Sequence, residues 1–224
     1  MTGIVIPTLD EAKRIGRLIA ALRDLEGEKD IVVADGGSSD GTAEIARAAG
    51  ARVVLSPRGR GAQLQAGAAA ARGDALWFVH ADSRPEPGSL AAIEAALADP
   101  AAVGGDFRVV FDGGGRAARS MTWIYPKLRW LGLSYGDAGI FVRRPAYDAC
   151  GGFQQMALFE DLDLLRRLRP HGRFVHLGHS IATSSRRFEG WNYPRAWAVW
   201  IALQSLYWAG VSPDVLAKLY RRAR

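Results

Sequence analysis

The sequence is poor in the features that announce several large protein classes. Its 224 residues include one cysteine, Cys150, which excludes an internal disulfide framework and a metal cluster built on several thiolates. Its most apolar stretch, residues 196–211, is interrupted by Gln204 and Ser205 and falls short of the roughly 20 residues that cross a bilayer. The opening Met1-Thr2-Gly3-Ile4-Val5-Ile6-Pro7 has no basic region ahead of a long apolar core, so no secretory leader is expected there. The first apolar run is not followed by G-x-G-x-x-G, and G-x-x-x-x-G-K-[ST] does not occur, so dinucleotide-redox and Walker-type readings lose support. Zinc-finger spacing, a basic zipper and a basic-aromatic RNA signature are also missing, which sets nucleic acid aside as a partner.

What is present describes a folded chain. Hydrophobic residues make up 49% and charged residues 23%, a balance that rules out a disordered chain. The length suits one generous domain that needs no covalent staple, and a cytoplasmic location is expected. The net charge of +6 is unevenly spread. From Arg166 onward eleven basic side chains face two acidic ones, a net +9, so the preceding body is acidic. Such a polarised chain suits an anionic ligand or an acidic membrane surface.

Short β-rich runs alternate with helical ones, the pattern of a parallel sheet wrapped by helices. Strands are expected at Ile4–Ile6, Ile31–Ala34, Val53–Leu55, Ala75–Val79, Phe107–Phe111 and Ile140–Val142. Helices are expected around Ile15–Leu22, Ile45–Ala49, Ala62–Ala71, Ser89–Ala98, Ser120–Leu131 and Asp161–Leu168, with two more at Trp191–Ala209 and Pro213–Arg222. Ser39 or Asp40 can cap the second helix. In open parallel sheets ligands bind beyond the carboxyl ends of the strands. Three of these strands run into polar clusters: Pro7-Thr8-Leu9-Asp10-Glu11, Asp35 to Thr42, and His80-Ala81-Asp82. All three should meet at one sheet edge. There a carboxylate such as Asp82 can hold a divalent cation together with a diphosphate, or simply close a turn.

These clusters resemble the motifs of the family 2 glycosyltransferases. Ile6-Pro7-Thr8-Leu9-Asp10-Glu11 is similar to that family's P-T/A-x-N/D-E opening, and Val33 to Thr42 to its V-x-D-x-x-S-x-D-G-T segment. Arg58-Gly59-Arg60-Gly61-Ala62 to Gly67 resembles its basic-glycine turn. His80-Ala81-Asp82 stands where its D-x-D metal motif belongs, and Gly151-Gly152-Phe153 through Glu160-Asp161 matches its G-G-F…E-D element. These elements span about residues 1–170. Residues 183–213 further resemble a bacterial subgroup associated with arsenosugar and radical-SAM pathways.

The resemblance implies an α/β, single-domain, Rossmann-like GT-A fold: a mostly parallel sheet flanked by helices, with C-terminal helices. Residues 1–110 would bind the nucleotide sugar, 111–185 the acceptor, and 186–224 would form a helical tail. The implied activity is inverting transfer of a sugar, most simply a hexose, from a nucleoside-diphosphate donor (a UDP-sugar is favoured) to an acceptor hydroxyl. Asp161 is the implied general base, with Glu160 beside it. Asp82 is the implied ligand for Mn²⁺ or Mg²⁺; His80, in place of the usual first aspartate, would join it or orient phosphate or ribose. Pro7, Thr8, Glu11, Asp35, Arg60, Gln63, His80 and Ala81 would line the donor site, and Arg187 would clamp the diphosphate. Two other readings stay open: a nucleotidyltransferase, and a catalytically silent nucleotide-sugar-binding protein. Trp191, Trp197, Trp200, Tyr207 and Trp208 beside the basic tail suit a peripheral membrane contact, a homodimer surface, or packing onto the sheet. Asp163 is expected as a solvated partner of Arg166 or Arg167, and Cys150 as a small buried residue.

Overall fold

The first four strands, Thr2–Thr8 (β1), Lys29–Asp35 (β2), Arg52–Leu55 (β3) and Ala75–Phe78 (β4), pair in parallel in the order β3-β2-β1-β4. In the computed structural model, which describes residues 1–113, 115–185 and 193–223, three helices make the crossovers: Ala12–Asp24 (α1), Thr42–Ala48 (α2) and Arg60–Ala70 (α3). Along a strand successive side chains point to opposite faces, and the two cores follow that alternation. Ile4 and Ile6 of β1, with Trp77 and Val79, meet Ile15, Leu18, Ile19 and Leu22 of α1 on one face. Val5, Leu76 and Phe78 meet Leu64 and Ala68 of α3 on the other. Burial on both faces explains why β4 reads as an unbroken apolar run. Gly67 lets α3 lie directly on β1, since a Cβ there would strike Val5 Cγ1.

The chain then leaves the parallel pattern. A two-residue strand, Arg84–Pro85 (β5), precedes helix Ser89–Leu97 (α4), strand Ala102–Phe111 (β6) and helix Arg116–Leu128 (α5). Strand Phe141–Arg143 (β7), helix Arg144–Ala149 (α6), helix Glu160–Leu168 (α7) and strand Arg173–Thr183 (β8) follow, then helices Tyr193–Trp208 (α8) and Pro213–Ala223 (α9). The sheet extends to β3-β2-β1-β4-β7-β6-β8-β5. β7 runs antiparallel to β4 and β6, and β5 antiparallel to β8, while β6 and β8 are parallel. The sheet is therefore mixed, its parallel part concentrated in the first half. β8 escapes a periodicity reading because Arg173–Thr183 does not alternate: two histidines, Gly178 and register shifts against β6 break the pattern. β5 is too short to leave a signal. α6 starts where Pro145 supplies a ready-made first-turn residue.

The C-terminal helices form a third cluster, in which Leu203, Leu216 and Ala217 bury Leu158, Phe159 and Leu162. Trp200 and Tyr207 of α8 turn inward onto Phe159, with ring centroids 6.1 and 5.0 Å away. Trp208 is exposed. Trp191 lies outside the described residues, as does the side chain of Trp197. Among the described residues no helix is long and apolar enough to cross a membrane.

Candidate active site

The parallel register sets Thr8, at the end of β1, directly beside Asp35, at the end of β2. Thr8 Oγ1 donates to Asp35 Oδ1 at 3.0 Å, Ser38 N and Gly37 N donate to Oδ2 at 2.9 and 3.1 Å, and Ser38 Oγ donates to Oδ1 at 2.5 Å. Burial works to raise the Asp35 pKa, but these donors outweigh it and hold the carboxyl below its ordinary value. Gln63, buried on α3, donates its amide to Thr8 O (2.6 Å) and Ala34 O (3.1 Å), so it positions the ends of β1 and β2 through their backbones. Pro7 precedes this junction within β1.

Two aspartates stitch the loops beyond these strands together. Ser39 N donates to Asp10 Oδ1 (2.9 Å), while Asp40 accepts Ala12 N on Oδ2 (3.0 Å) and Thr42 N on Oδ1 (3.1 Å). Asp40 thus serves the first turns of both α1 and α2, but the N-cap of α2 is Gly41 rather than the expected Ser39 or Asp40. Thr42 Oγ1 accepts Glu11 N at 2.8 Å, and the Glu11 carboxylate is held by Arg14 at 2.7 Å.

At the mouth of β4, Ala81 is buried while His80 and Asp82 are half-buried in the turn. Gly136 connects this turn to the acidic pair on α7. Its N–H donates to Asp161 Oδ2 at 2.7 Å, and a Cβ at Gly136 would lie 3.0 Å from His80 Nε2 and 3.6 Å from Asp161 Oδ2. A side chain at this position would make the imidazole give way by a few tenths of an ångström, while the Asp161 oxygen would be in ordinary contact.

Glu160 and Asp161 begin α7, and Phe159 before them is a buried non-glycine residue at φ 65°. That left-handed conformation is costly for a bulky side chain and is held by the surrounding packing. Asp161, 3% exposed, accepts Leu162 N as well as Gly136 N. Its position at a helix N-terminus favours a low pKa, yet burial and the adjacent Glu160 carboxylate prevail and raise it to about 6, against the pull of Arg60. Arg60, at the first turn of α3, ion-pairs through Nε with Glu160 and stands 3.9 Å from Asp161. Desolvation works to lower its pKa, but Glu160 and Asp161 raise it well above the ordinary guanidinium value. The residue expected on the nucleotide thus counterbalances the two acids.

Motif reading missed the segment 134–139. Tyr125 donates its hydroxyl to both Asp137 oxygens (3.0 and 3.1 Å), and Tyr135 donates to Gln204 Oε1 at 3.0 Å. Asp137 is among the charges acting on Arg60. The available signal was Gly136-Asp137-Ala138-Gly139, a polar, glycine-flanked cluster just ahead of an apolar strand. Two expectations are corrected. Asp163 is buried rather than solvated and binds both Arg166 (3.0 Å) and Arg167 (2.7 Å), since its helix face turns inward. Cys150 is half-buried, its thiol directed to Tyr147 O. Arg187 lies outside the described residues, and Arg58 is exposed.

This geometry agrees with relationships to known proteins. The family model of glycosyl transferase family 2 matches residues 3–163, and the chain belongs to that family. It is 50% identical over 52 residues to glycosyltransferase AglJ of Haloferax volcanii, covering 23% of this chain and 17% of that protein. It is 40% identical over 91 residues to glucosyl-3-phosphoglycerate synthase of Mycolicibacterium paratuberculosis, covering 36% and 28%. These alignments span less than a third of either relative. The mannosyltransferase PcManGT of Pyrobaculum calidifontis, solved with GDP-mannose and Mn²⁺, superposes with a TM-score of 0.69 at 18% identity over 90% of this chain and 61% of its own. Glucosyl-3-phosphoglycerate synthase of Mycobacterium tuberculosis, in complex with Mn²⁺, UDP and glucosyl-3-phosphoglycerate, gives 0.59 at 22% identity over 82% and 71%. At these identities the likeness is one of fold, and the fold is GT-A.

Proposed function

We propose that the protein transfers a sugar from a nucleoside-diphosphate sugar, preferably a UDP-sugar, to an acceptor hydroxyl, inverting the anomeric carbon in a single displacement. The observation that carries this reading is Asp161: a buried carboxylate bound by the N–H of Gly136, which packs against His80 at the mouth of β4, with its pKa raised to about 6. A carboxylate tuned toward neutral pH suits general-base work on a hydroxyl.

Asp161 accepts the acceptor's proton, and Gly136 N–H fixes the orientation of its carboxyl. Glu160 supports the pKa of Asp161 and is itself neutralised by Arg60. Pro7, Thr8 and Asp35 form the wall for the nucleoside, with Gln63 behind them. His80 and Ala81 face the diphosphate, and Glu11, tied to Arg14, borders the same wall. Arg187 is retained as a diphosphate clamp.

A divalent cation, Mn²⁺ or Mg²⁺, fits the donor set at the mouth of β4. Among the described residues no three His, Cys, Asp or Glu side chains form a ready-made cage. The protein instead supplies Asp82, with His80 as a second ligand, the kind of site that substrate phosphates complete. Bound there, the ion would supply Lewis-acid stabilisation to the departing diphosphate. The relatives solved with Mn²⁺ and nucleotides support this assignment.

A thermal-shift screen of nucleotide sugars with and without Mn²⁺, followed by transfer assays, tests the reading. The expected result is a metal-dependent stabilisation, with turnover that collapses in Asp82→Ala and Asp161→Asn. Normal turnover in both variants would defeat the site assignment, and tight donor binding without turnover on any acceptor would favour a silent binding protein. Acceptors to screen include small hydroxylated metabolites, among them those of arsenosugar routes, as the resemblance of residues 183–213 directs.

A further inference from the structure

Helix α5 carries an outward stripe that the proposed reaction does not use. Arg116, Arg119, Trp123 and Lys127 of α5 are spaced by three, four and four residues, and Trp130 follows three residues on in the tight turn Arg129–Leu131 that continues the helix, which places them along one narrow face. All five are exposed, Trp123 at 67% and Trp130 at 73%. α5 itself has no acidic residue. The opposite face, with Ala118 and Met121, is buried in the core, so the stripe is the solvent side of a well-anchored helix. Lys127 Nζ lies 3.0 Å from the centre of the Trp123 ring. One large aromatic is thus already combined with a cation at the surface, and one face of that ring is closed to stacking partners.

Exposed tryptophan side chains interleaved with cations suit a bilayer interface, where apolar bodies enter the headgroup region and ammonium or guanidinium groups meet lipid phosphates. Nucleic acid would use the cations but would find one face of Trp123 already covered by Lys127.

We propose that the face formed by Arg116, Arg119, Trp123 and Lys127 of α5, with Trp130 just beyond it, docks the protein on an anionic lipid bilayer. The inference stands apart from the glycosyl-transfer reading, because it rests on a helix face and not on the cleft.

The test is vesicle co-sedimentation of the full chain with phosphatidylcholine vesicles containing or lacking 30% phosphatidylglycerol. Binding is expected to the anionic vesicles, at least tenfold weaker binding to neutral ones, and release by 0.5 M NaCl as screening shortens the range of the charges. Each cation near an anionic surface contributes roughly fivefold. The triple variant Arg116→Gln/Arg119→Gln/Lys127→Gln should therefore lose on the order of 100-fold, and Trp123→Ala/Trp130→Ala should also bind more weakly. Circular dichroism melts check that both surface variants stay folded. Equal binding by wild type and the triple variant, or none by wild type, overturns the proposal. So does tighter binding to a single-stranded RNA than to vesicles, or a dimer in sedimentation velocity that the tryptophan variant dissociates.

Discussion

Asp35 and Asp161 are both buried carboxylates at the same edge of the sheet, yet their surroundings push them in opposite directions. Asp35 ends a strand in the parallel half, and the converging donors of Thr8, Gly37 and Ser38 keep it ionised. Asp161 starts a helix in the irregular half, where burial and the carboxylate of Glu160 outweigh its two backbone donors and raise it to about 6. Pairs of carboxylates separated in this way mark a division of labour. Asp35 is held toward its anionic form by its donors, and Asp161 can change protonation near neutral pH, which suits the two to the separate roles proposed for them. The same contrast extends to the backbone. The loops after β1 and β2 are held by reciprocal hydrogen bonds through Asp10 and Asp40, whereas α7 is entered through a strained Phe159.

The largest effect that would break this comparison is on turnover. Asp161→Asn should lower kcat by about 10²–10⁴-fold if the carboxylate is the base, measured as initial transfer rate under saturating donor. In the wild type kcat should fall as pH drops below about 6, because the base must be ionised. The same variant should be more stable than wild type at neutral pH. A carboxyl whose folded pKa is raised contributes stability that is complete below its unfolded pKa and lost as pH rises through about 6. The gain should therefore appear in urea melts at pH 7 and vanish near pH 4. Identical melts at both pH values would show that Asp161 is not perturbed.

Arg60→Gln comes next. It leaves the buried Glu160 without its cation and should cost on the order of 3 kcal/mol, read as a shift in the urea midpoint. Because Arg60 pulls the Asp161 pKa down, its loss should also move the acid limb of the rate profile to higher pH. An unmoved limb would detach Arg60 from the base. Asp35→Asn should cost about 1–3 kcal/mol through lost charge-assisted hydrogen bonds. A lowered folded pKa means stability present above the unfolded pKa and lost as pH falls through the folded one, so this penalty should shrink in strong acid. The smallest and most diagnostic change is Gly136→Ala. Its Cβ would crowd His80 Nε2 at 3.0 Å while the backbone donor to Asp161 remains. A rise of a few-fold in donor KM with kcat nearly kept would place His80 on the donor side, and a pure kcat loss would place it with the base.

Much of the first half was legible in the residues. Ile4–Ile6 and Ile31–Ala34 lie in β1 and β2, and the expected Ala75–Val79 covers β4 with Val79 just past its end, because buried parallel strands need continuous apolar runs. The second half was harder to read. β8 holds its place through pairing with β6 and shows no alternation of its own, and segment 134–139, between α5 and β7 in the chain, reaches the acids of α7 only through a contact made in the fold, Gly136 N–H to Asp161.

Periodicity, turn glycines and strand-terminal acids are local properties, so the chain alone sets most of its elements and the chemical groups that end its strands. What those groups face depends on the folded arrangement. Arg60 and Glu160 are a hundred positions apart and become an ion pair when α3 and α7 come together on one face of the sheet. Asp161 acquires its raised pKa the same way. A pKa reports the dielectric and charges around a group, and those belong to the assembled fold rather than to any stretch of chain.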